Sequence, residues 1–175
     1  FRQASSNYGI GVDGRVGMYV EEKNRSWCSS SASNDQRAVT IECASDSKAP
    51  YAFKDVVYNK LIELCTDICK RNGKTRLLWL GDKDKTLGYT PAPDEMVLTV
   101  HRWFANKSCP GDWMYARMGD LAEKVTAALG GQTQAPLDNA PAAWSKDAVN
   151  WALENRLLLG DANGDLKLWE NLTRE

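Results

Sequence analysis

The stretch KDVVYNKLIELCTDICKRNGKTRLLWL, residues 54–80, decides the fold class because it joins a helical pattern to a strand pattern. Apolar side chains recur in it at intervals of three and four residues, which predicts an amphipathic helix over 54–72. These side chains are Val57, Leu61, Leu64, Cys65 and Ile68. Gly73 is a typical residue for ending such a helix. The apolar run at 76–80 predicts a strand directly after it.

The residues before this stretch predict three strands. Asp13-Gly14 stands between two short apolar runs, which predicts a hairpin with strands at 8–10 and 15–20. A compact apolar run predicts a further strand at 38–44. The residues at 24–36 are rich in serine and asparagine and therefore predict a loop.

The residues after this stretch predict a loop at 81–95, a strand at 96–100 and a second long helix. Asp112 is the predicted cap of that helix, whose apolar stripe is Met114, Met118, Leu121, Ala122 and Val125. Core packing explains both helical stripes better than a cofactor or partner surface. Strands interleaved with helices predict an α/β fold with a mixed central β-sheet flanked by helices.

Length and charge exclude several classes of protein. The 175 residues suffice for one well-buried domain plus an appendage. The formal net charge is −1, which argues against a nucleic-acid partner because such partners favour a basic face. No apolar run approaches the roughly 20 residues that span a bilayer, so no membrane insertion is predicted.

The five cysteines predict free thiols rather than a disulfide framework. Their number is odd and their spacing irregular, which is a poor pattern for disulfides. Cys65 and Cys69 lie one helical turn apart, and Cys43 lies on a predicted strand, so all three are predicted core residues. This usage fits synthesis in a reducing cytosol.

The segment HRWFANKSCP, residues 101–110, combines the single histidine of the chain with a cysteine eight residues later. Imidazole and thiolate are ligands that zinc prefers. Lys107 precedes Cys109 by two residues, where a cation can favour the thiolate or stabilise a developing oxyanion. A catalytic zinc needs three protein ligands, so His101 and Cys109 alone are incomplete. Taken without context, both residues can equally be structural.

Three segments in order carry a family resemblance. They are NYGIGVDGRV at 7–16, NDQRAVTIE at 34–42 and the stretch from His101 to Cys109. Together they resemble the zinc-dependent N-acetylmuramoyl-L-alanine amidases, the peptidoglycan-cleaving family that includes the peptidoglycan recognition proteins. The resemblance covers about residues 1–130, which we expect to form the amidase domain.

The resemblance implies roles for five residues. His101 and Cys109 match two of the three zinc ligands, and Glu42 matches the acid that moves a proton from the zinc-activated water to the leaving amine. Lys107 matches the residue that stabilises the oxyanion, and Tyr8 matches a tyrosine near the metal. From the residues alone, a surface charge is the preferred interpretation of both Glu42 and Lys107, and Tyr8 can equally pack across its hairpin.

Three further residues are candidates for binding the sugar and the stem peptide. Trp27 and Trp103 are possible groove walls, and Asn34 opens the segment that leads to Glu42. Trp103 can equally belong to the core.

The chain departs from the family pattern at two places. The family carries its first zinc histidine on a strand upstream of the tyrosine hairpin, but only seven residues precede Tyr8 here and none is histidine. We therefore expect that the chain lacks its true amino terminus and, with it, one zinc ligand. Many relatives have Trp-His where Trp27-Cys28 stands, a change that affects the lining of the groove.

The last part of the chain predicts a linker at 131–143 and a small helical segment at 144–175. A helix starting at Ser145 is followed by a pattern that resembles part of an S-layer-homology-like wall-binding module. Asp161, Asn163 and Asp165 alternate as calcium ligands can. The glutamate that normally completes such a site is absent, so a plain Asn-Gly turn is the preferred interpretation.

These observations predict a zinc-dependent hydrolase that cleaves the amide between N-acetylmuramic acid and L-alanine, with Zn²⁺ as cofactor and peptidoglycan as partner. A bacteriolytic phage endolysin, made in the cytoplasm, or a secreted bacterial autolysin would act on the cell wall in this way. The alternative is a peptidoglycan-binding module without catalysis. Members of that kind typically lack the zinc cysteine, so Cys109 favours the enzyme. A purely structural domain is the third possibility.

Overall fold

The computed structural model describes residues 4–130, 141, 145–159, 166 and 168. They belong to two compact units, one within residues 1–132 and one within residues 133–175. The predicted linker 131–143 is described only at residue 141, and the acidic turn at 161–165 lies outside the described residues.

The described part of the first unit contains five short strands. Strands β1 (Tyr8–Ile10) and β2 (Val16–Met18) form the predicted antiparallel hairpin, and β3 (Ile41–Cys43) pairs with β1 in parallel. Strands β4 (Arg76–Leu78) and β5 (Glu95–Val97) form a separate parallel pair. The α/β class is therefore confirmed.

The prediction of one central sheet is wrong for the described residues, which form a three-stranded sheet, β2-β1-β3, and a two-stranded sheet, β4-β5. Residues of β3 and residues 96–100, at the end of β5 and beyond it, line the same two cavities, of about 370 and 540 Å³. Paired strands lie about 4.8 Å apart, and no hydrogen-bonded pairing joins β3 to β5 in the described residues.

Helices make up most of the remaining regular structure. They are α1 (Ala32–Asp35), α2 (Asp55–Arg71), α3 (Lys83–Gly88), a short 3₁₀ helix (His101–Trp103), α4 (Asp112–Tyr115), α5 (Met118–Ala128) and α6 (Lys146–Glu154). The long helix predicted over 54–72 is confirmed as α2.

Three details of the helix predictions are wrong. The predicted loops at 24–36 and 81–95 contain α1 and α3, each started by a side-chain cap. Ser31 accepts a hydrogen bond from the Asn34 N–H, and Asp82 accepts one from the Lys85 N–H. The predicted last helix is divided into α4 and α5, and the residue that caps α4 is Gly111 rather than Asp112.

The core lies where α2 and α5 pack against each other. Helix α5 also contacts β4, and α2 contacts β1. The predicted stripes supply most of the buried apolar side chains of the described residues, among them Val57, Leu61, Ile68, Leu121 and Val125. Cys65 and Cys69 are buried as predicted, Cys43 packs against the core, and all five cysteines are free.

Gly111 fixes the path of the chain just after Cys109. Its φ is 84°, a left-handed conformation that favours glycine. A Cβ atom there would lie 2.9 Å from the Tyr51 Cβ and 3.1 Å from the Pro50 carbonyl oxygen. The segment around Cys109 can therefore pack closely against 50–51 only with glycine at this position.

The second unit contains α6, which starts after Ser145 as predicted. None of the side chains of α6 is buried. None of the helices in the described ranges has the length and apolar character that crossing a bilayer requires.

Candidate active site

One cavity of the first unit is lined by residues that lie far apart in the sequence. Glu42 from β3, His101 from the 3₁₀ helix and Cys109 from the following loop all line a space of about 370 Å³. Asn34 from α1 lines it as well, and core residues such as Met114 and Leu121 form its apolar wall. The cavity therefore combines an acid, an imidazole and a thiol with an apolar interior.

A hydrogen-bonded network holds the start of β3 against β1 and the loop at 26–31. The buried Asn7 side chain accepts hydrogen bonds from the Thr40 N–H and hydroxyl at 3.0 and 3.1 Å. The Thr40 hydroxyl lies 2.7 Å from the hydroxyl of the buried Ser26. Because buried polar groups that satisfy one another rigidify their surroundings, the network fixes the strand that carries Glu42.

The loop at 26–31 is shaped by the buried carboxylate of Asp35. It accepts hydrogen bonds from the N–H groups of Cys28 and Ser29 at 3.2 and 3.0 Å. The loop thereby places the Cys28 thiol at the cavity, where it donates to Glu42 Oε1 at 3.4 Å. Burial, reinforced by the negative charge of Glu42, raises the pKa of Cys28 to about 12, so Cys28 is a protonated donor at neutral pH.

His101 is held by the same loop. The Ser30 hydroxyl lies 3.2 Å from His101 Nε2. Ser30 has a φ of 65°, and such a left-handed conformation costs a non-glycine residue about 1–2 kcal/mol. Backbone strain of this kind is often kept at functional sites.

Cys109 lines the cavity, and its thiol is largely protonated at neutral pH. Burial raises the pKa of its thiol to about 11, Glu42 adds to the rise, and the positive charge of Arg102 opposes it. Lys107 is exposed and is not among the residues that line the cavity. Arg102 is thus the cation that favours the Cys109 thiolate in this structure, and the role of Lys107 stays a prediction.

Tyr8 lies on the other face of the three-stranded sheet. Tyr8 is paired with Ile41 of β3, and Gly9 is paired with Glu42. Because neighbouring side chains of a strand point to opposite faces, the side chains of Tyr8 and Glu42 lie on opposite faces of the sheet. The Tyr8 hydroxyl donates to Glu22 Oε1 at 2.8 Å, and Arg71 donates to both oxygens of the same carboxylate at 2.8 and 2.9 Å. Tyr8 is not part of the cavity lining.

The candidate substrate-binding residues have different surroundings. Trp27 is 59% exposed, with the Arg25 guanidinium 4.0 Å from its ring centre. Trp103 stacks on Trp79 with ring centres 5.0 Å apart, and it lines a neighbouring groove rather than the cavity. Asn34 donates to the Ser29 hydroxyl and accepts from the Thr99 hydroxyl, both at 3.1 Å.

The donor set at the cavity fits zinc in type but is incomplete. An imidazole and a thiol both line it, yet no group of three histidine, cysteine, aspartate or glutamate residues in the described part of the chain is arranged to hold a metal ion. A catalytic zinc requires three such ligands.

The contributions of Ser30, Asp35 and Arg102 are not visible in the sequence. Each acts through a contact with a residue distant in sequence or through the fold of a loop, which residue spacing cannot reveal. The only local signal was the Ser-rich composition of 26–31, which is typical of loops with side-chain-to-backbone hydrogen bonds.

Comparison with protein families agrees with this geometry. The family model described as N-acetylmuramoyl-L-alanine amidase matches residues 1–112, well over half of the chain. The chain therefore belongs to the N-acetylmuramoyl-L-alanine amidase family, a family of amide hydrolases that act on peptidoglycan. No curated protein and no solved structure matches the chain at a level that shows a relationship.

Proposed function

We propose that this protein is a zinc-dependent N-acetylmuramoyl-L-alanine amidase. It cleaves the amide between the lactyl group of N-acetylmuramic acid and the L-alanine of the stem peptide. The observation that carries this proposal is the meeting of Glu42, His101 and Cys109 at one cavity of about 370 Å³. Membership of the amidase family supports the reaction class.

His101 and Cys109 are the residues that would hold the metal. Zinc, when bound, polarises an amide carbonyl and lowers the pKa of water to near neutrality. The third ligand is proposed to come from outside the described residues, because no group of three suitable side chains occurs within them.

Glu42 is the proposed general base and acid. Its carboxylate takes a proton from the attacking water and passes the proton to the leaving amine, a role that commonly contributes about 10²- to 10⁴-fold to the rate. The Cys28 thiol donates a hydrogen bond to Glu42 Oε1, which orients the carboxylate. Thiols are weak donors, so this contact leaves Glu42 available for proton transfer.

Lys107 and Tyr8 are proposed as catalytic residues only on the family resemblance. Lys107 would stabilise the oxyanion, and Tyr8 would bind the water or the carbonyl. Both lie outside the cavity lining here, so each role requires a different side-chain position. The proposed contacts to the sugar and the stem peptide are Asn34, Trp27 and Trp103. The proposal is best supported for Asn34, because this residue lines the cavity itself.

Synthesis in a reducing compartment is also part of the proposal, as for a bacteriolytic phage endolysin that reaches the wall after release. The five free cysteines support it, because disulfides accumulate in oxidising compartments. The segment 144–175 is proposed to bind the cell wall.

The test combines metal content with product analysis. The chain and its Cys109→Ser variant are loaded with Zn²⁺, dialysed and measured by elemental analysis, and each is incubated with a muramoyl peptide. We expect about one zinc per chain with wild type, much less with the variant, and release of a peptide with a free L-alanine amine by wild type alone. Peptide binding without cleavage, by a chain that holds zinc, would instead establish a binding module.

A further inference from the structure

A polar groove of about 510 Å³ lies beside the cavity and has the chemistry of an anion site. We call it the serine groove, after the three serines that line it, Ser30, Ser31 and Ser33. Arg37 and Lys83 supply two cations to its lining, and no aspartate or glutamate belongs to that lining.

The two cations are available to a ligand. Neither Arg37 nor Lys83 makes an ion pair with any residue in the described ranges. Arg37 Nε donates to the Ser33 carbonyl oxygen at 3.4 Å, which holds the guanidinium beside the groove. Asp82, the neighbour of Lys83, accepts from the Lys85 N–H as the cap of α3, so its carboxylate is already engaged.

The serine groove also presents hydroxyls and an aromatic wall. The hydroxyls of Ser31 and Ser33 lie 3.2 Å apart, and each can donate to an acceptor on a ligand. Trp103 and Phe104 line the same groove, and Trp103 is braced by its stacking on Trp79. A flat or apolar part of a ligand can therefore lie against one side while an anionic group meets the other.

The groove begins next to His101. Ser30 lines the groove and bonds His101 Nε2 at 3.2 Å, and Asn34 lines both groove and cavity. A peptide advances about 3.5 Å per residue when extended. A stem peptide that runs from the cavity towards Ser30 therefore brings the residues after its L-alanine to the groove within a few residues.

From these observations we infer that the serine groove binds a free carboxylate of the stem peptide through Arg37 and Lys83. The enzyme then prefers stems with free carboxylates to stems in which these groups are amidated. This inference rests on the proposed function for the identity of the ligand, but the binding site itself is defined by the charges and hydroxyls of the groove.

The test measures binding, because catalysis is not needed to detect the preference. The ligands are two muramoyl dipeptides, the D-isoglutamate form and the D-isoglutamine form of N-acetylmuramoyl-L-alanyl dipeptide, each with its γ-carboxyl capped as a methylamide. They differ only at the α-carboxyl, which is a free carboxylate in the isoglutamate form and an amide in the isoglutamine form. Calorimetric titrations use the full chain with Glu42→Gln, so that neither ligand is consumed. We expect the carboxylate form to bind about tenfold more tightly at low salt, and the preference to fall as salt rises.

Charge variants assign the preference to the groove. Arg37→Gln and Lys83→Gln are each expected to reduce it to about threefold, and the double variant to abolish it. Lys70→Gln is the matched control, because Lys70 is exposed on α2, makes no ion pair with the described residues and does not line the groove. It should leave the preference unchanged.

Several results would overturn the inference. They are equal binding of both dipeptides, no binding of either, or a preference that survives in the double variant. Inorganic phosphate that competes as strongly as the isoglutamate form would also overturn it, since the groove would then be a general phosphate site. Cleavage by the unmodified chain is scored separately, so a chain that binds through Arg37 and Lys83 without cleaving refutes the proposed function alone.

Discussion

Glu42 and Glu22 are two carboxylates close to the three-stranded sheet, and their surroundings are opposite in kind. Glu42 lies on β3, lines the cavity, and receives one hydrogen bond from the weakly donating Cys28 thiol. Glu22 follows the hairpin and receives three, one from Tyr8 and two from Arg71. The hydrogen bonds from Arg71, and then that from Tyr8, hold the pKa of Glu22 below its usual value of 4.5.

The difference separates a group available for chemistry from a group used for structure. A general base must accept and release a proton during turnover, which strong donors on both oxygens oppose. Glu22 is held as a carboxylate at neutral pH by Tyr8 and Arg71, and it connects the hairpin to the end of α2. The chain therefore uses one acid to join its elements and leaves the other facing the cavity.

Glu42→Gln should have the largest effect on activity and almost none on folding. We expect kcat to fall by about 10²- to 10⁴-fold because the amide cannot take up the proton. The free energy of unfolding should change by less than about 0.5 kcal/mol, since Glu42 is exposed. Chromatographic assay of the released peptide, together with urea unfolding, measures both quantities.

Glu63→Gln is the matched control for this change. Glu63 is an exposed glutamate on α2 that pairs with Lys60 and does not line the cavity. A loss of less than tenfold in Glu42→Gln, or an equal loss in both variants, would remove Glu42 from the mechanism.

Glu22→Gln should show the reverse pattern, with a large effect on folding and a small one on kcat. Removing the charge that Arg71 and Tyr8 contact should lower the free energy of unfolding by about 1.5–3 kcal/mol at neutral pH. Urea denaturation of both forms measures it. A variant as stable as wild type but inactive would show that Glu22, and not Glu42, is the catalytic acid.

The pH dependence of stability follows from the lowered pKa of Glu22. Its unfolded form takes up a proton near pH 4.5, whereas the folded form does so only at lower pH. The stabilisation from Glu22 is therefore fully present above this range and is lost as the pH falls through the folded pKa. In Glu22→Gln the stability should therefore fall less steeply as the pH is lowered. Thermal melts between about pH 3 and 7, a range that spans the usual carboxyl pKa values, can measure this difference.

Tyr8→Phe tests whether the tyrosine belongs with the structural cluster or with the reaction. Loss of its hydrogen bond to Glu22 should cost about 0.5–1.5 kcal/mol of stability. Because Tyr8 lies on the face opposite Glu42, we expect kcat to change by less than about fivefold, well short of the effect of losing an acid–base group. A drop comparable to that of Glu42→Gln would instead establish the catalytic role that the family resemblance implies.

The sequence predicted those features that depend on local patterns. Helix α2 and the hairpin around Asp13-Gly14 follow from apolar periodicity and turn chemistry, and both are present. Helices α1 and α3 were missed because each is short and depends on one capping side chain. Such caps give a weak signal within polar segments.

The candidate site was predictable in part for a similar reason. His101 and Cys109 are close in sequence, so their meeting follows from one segment. Their meeting with Glu42 depends on the packing of β3 against the rest of the unit, and only the family resemblance pointed to it. The hydrogen bond from Tyr8 to Glu22, and the contacts of Arg71 with the same carboxylate, could not be predicted, because they are tertiary contacts that residue types alone do not specify.

Substitutions at Ser30 should give the smallest effect, and they test directly whether the Ser30 hydroxyl positions His101 at the cavity. Ser30→Ala and Ser30→Gly both remove the hydroxyl that contacts His101, but only glycine relieves the left-handed backbone. We expect the glycine variant to be more stable than the alanine variant by about 1 kcal/mol. Both should lose activity by the same factor of about three to ten, the range for one modest hydrogen bond. If activity instead follows stability, so that the glycine variant is as active as wild type, the hydroxyl does not position His101 and the strain at Ser30 has no catalytic purpose.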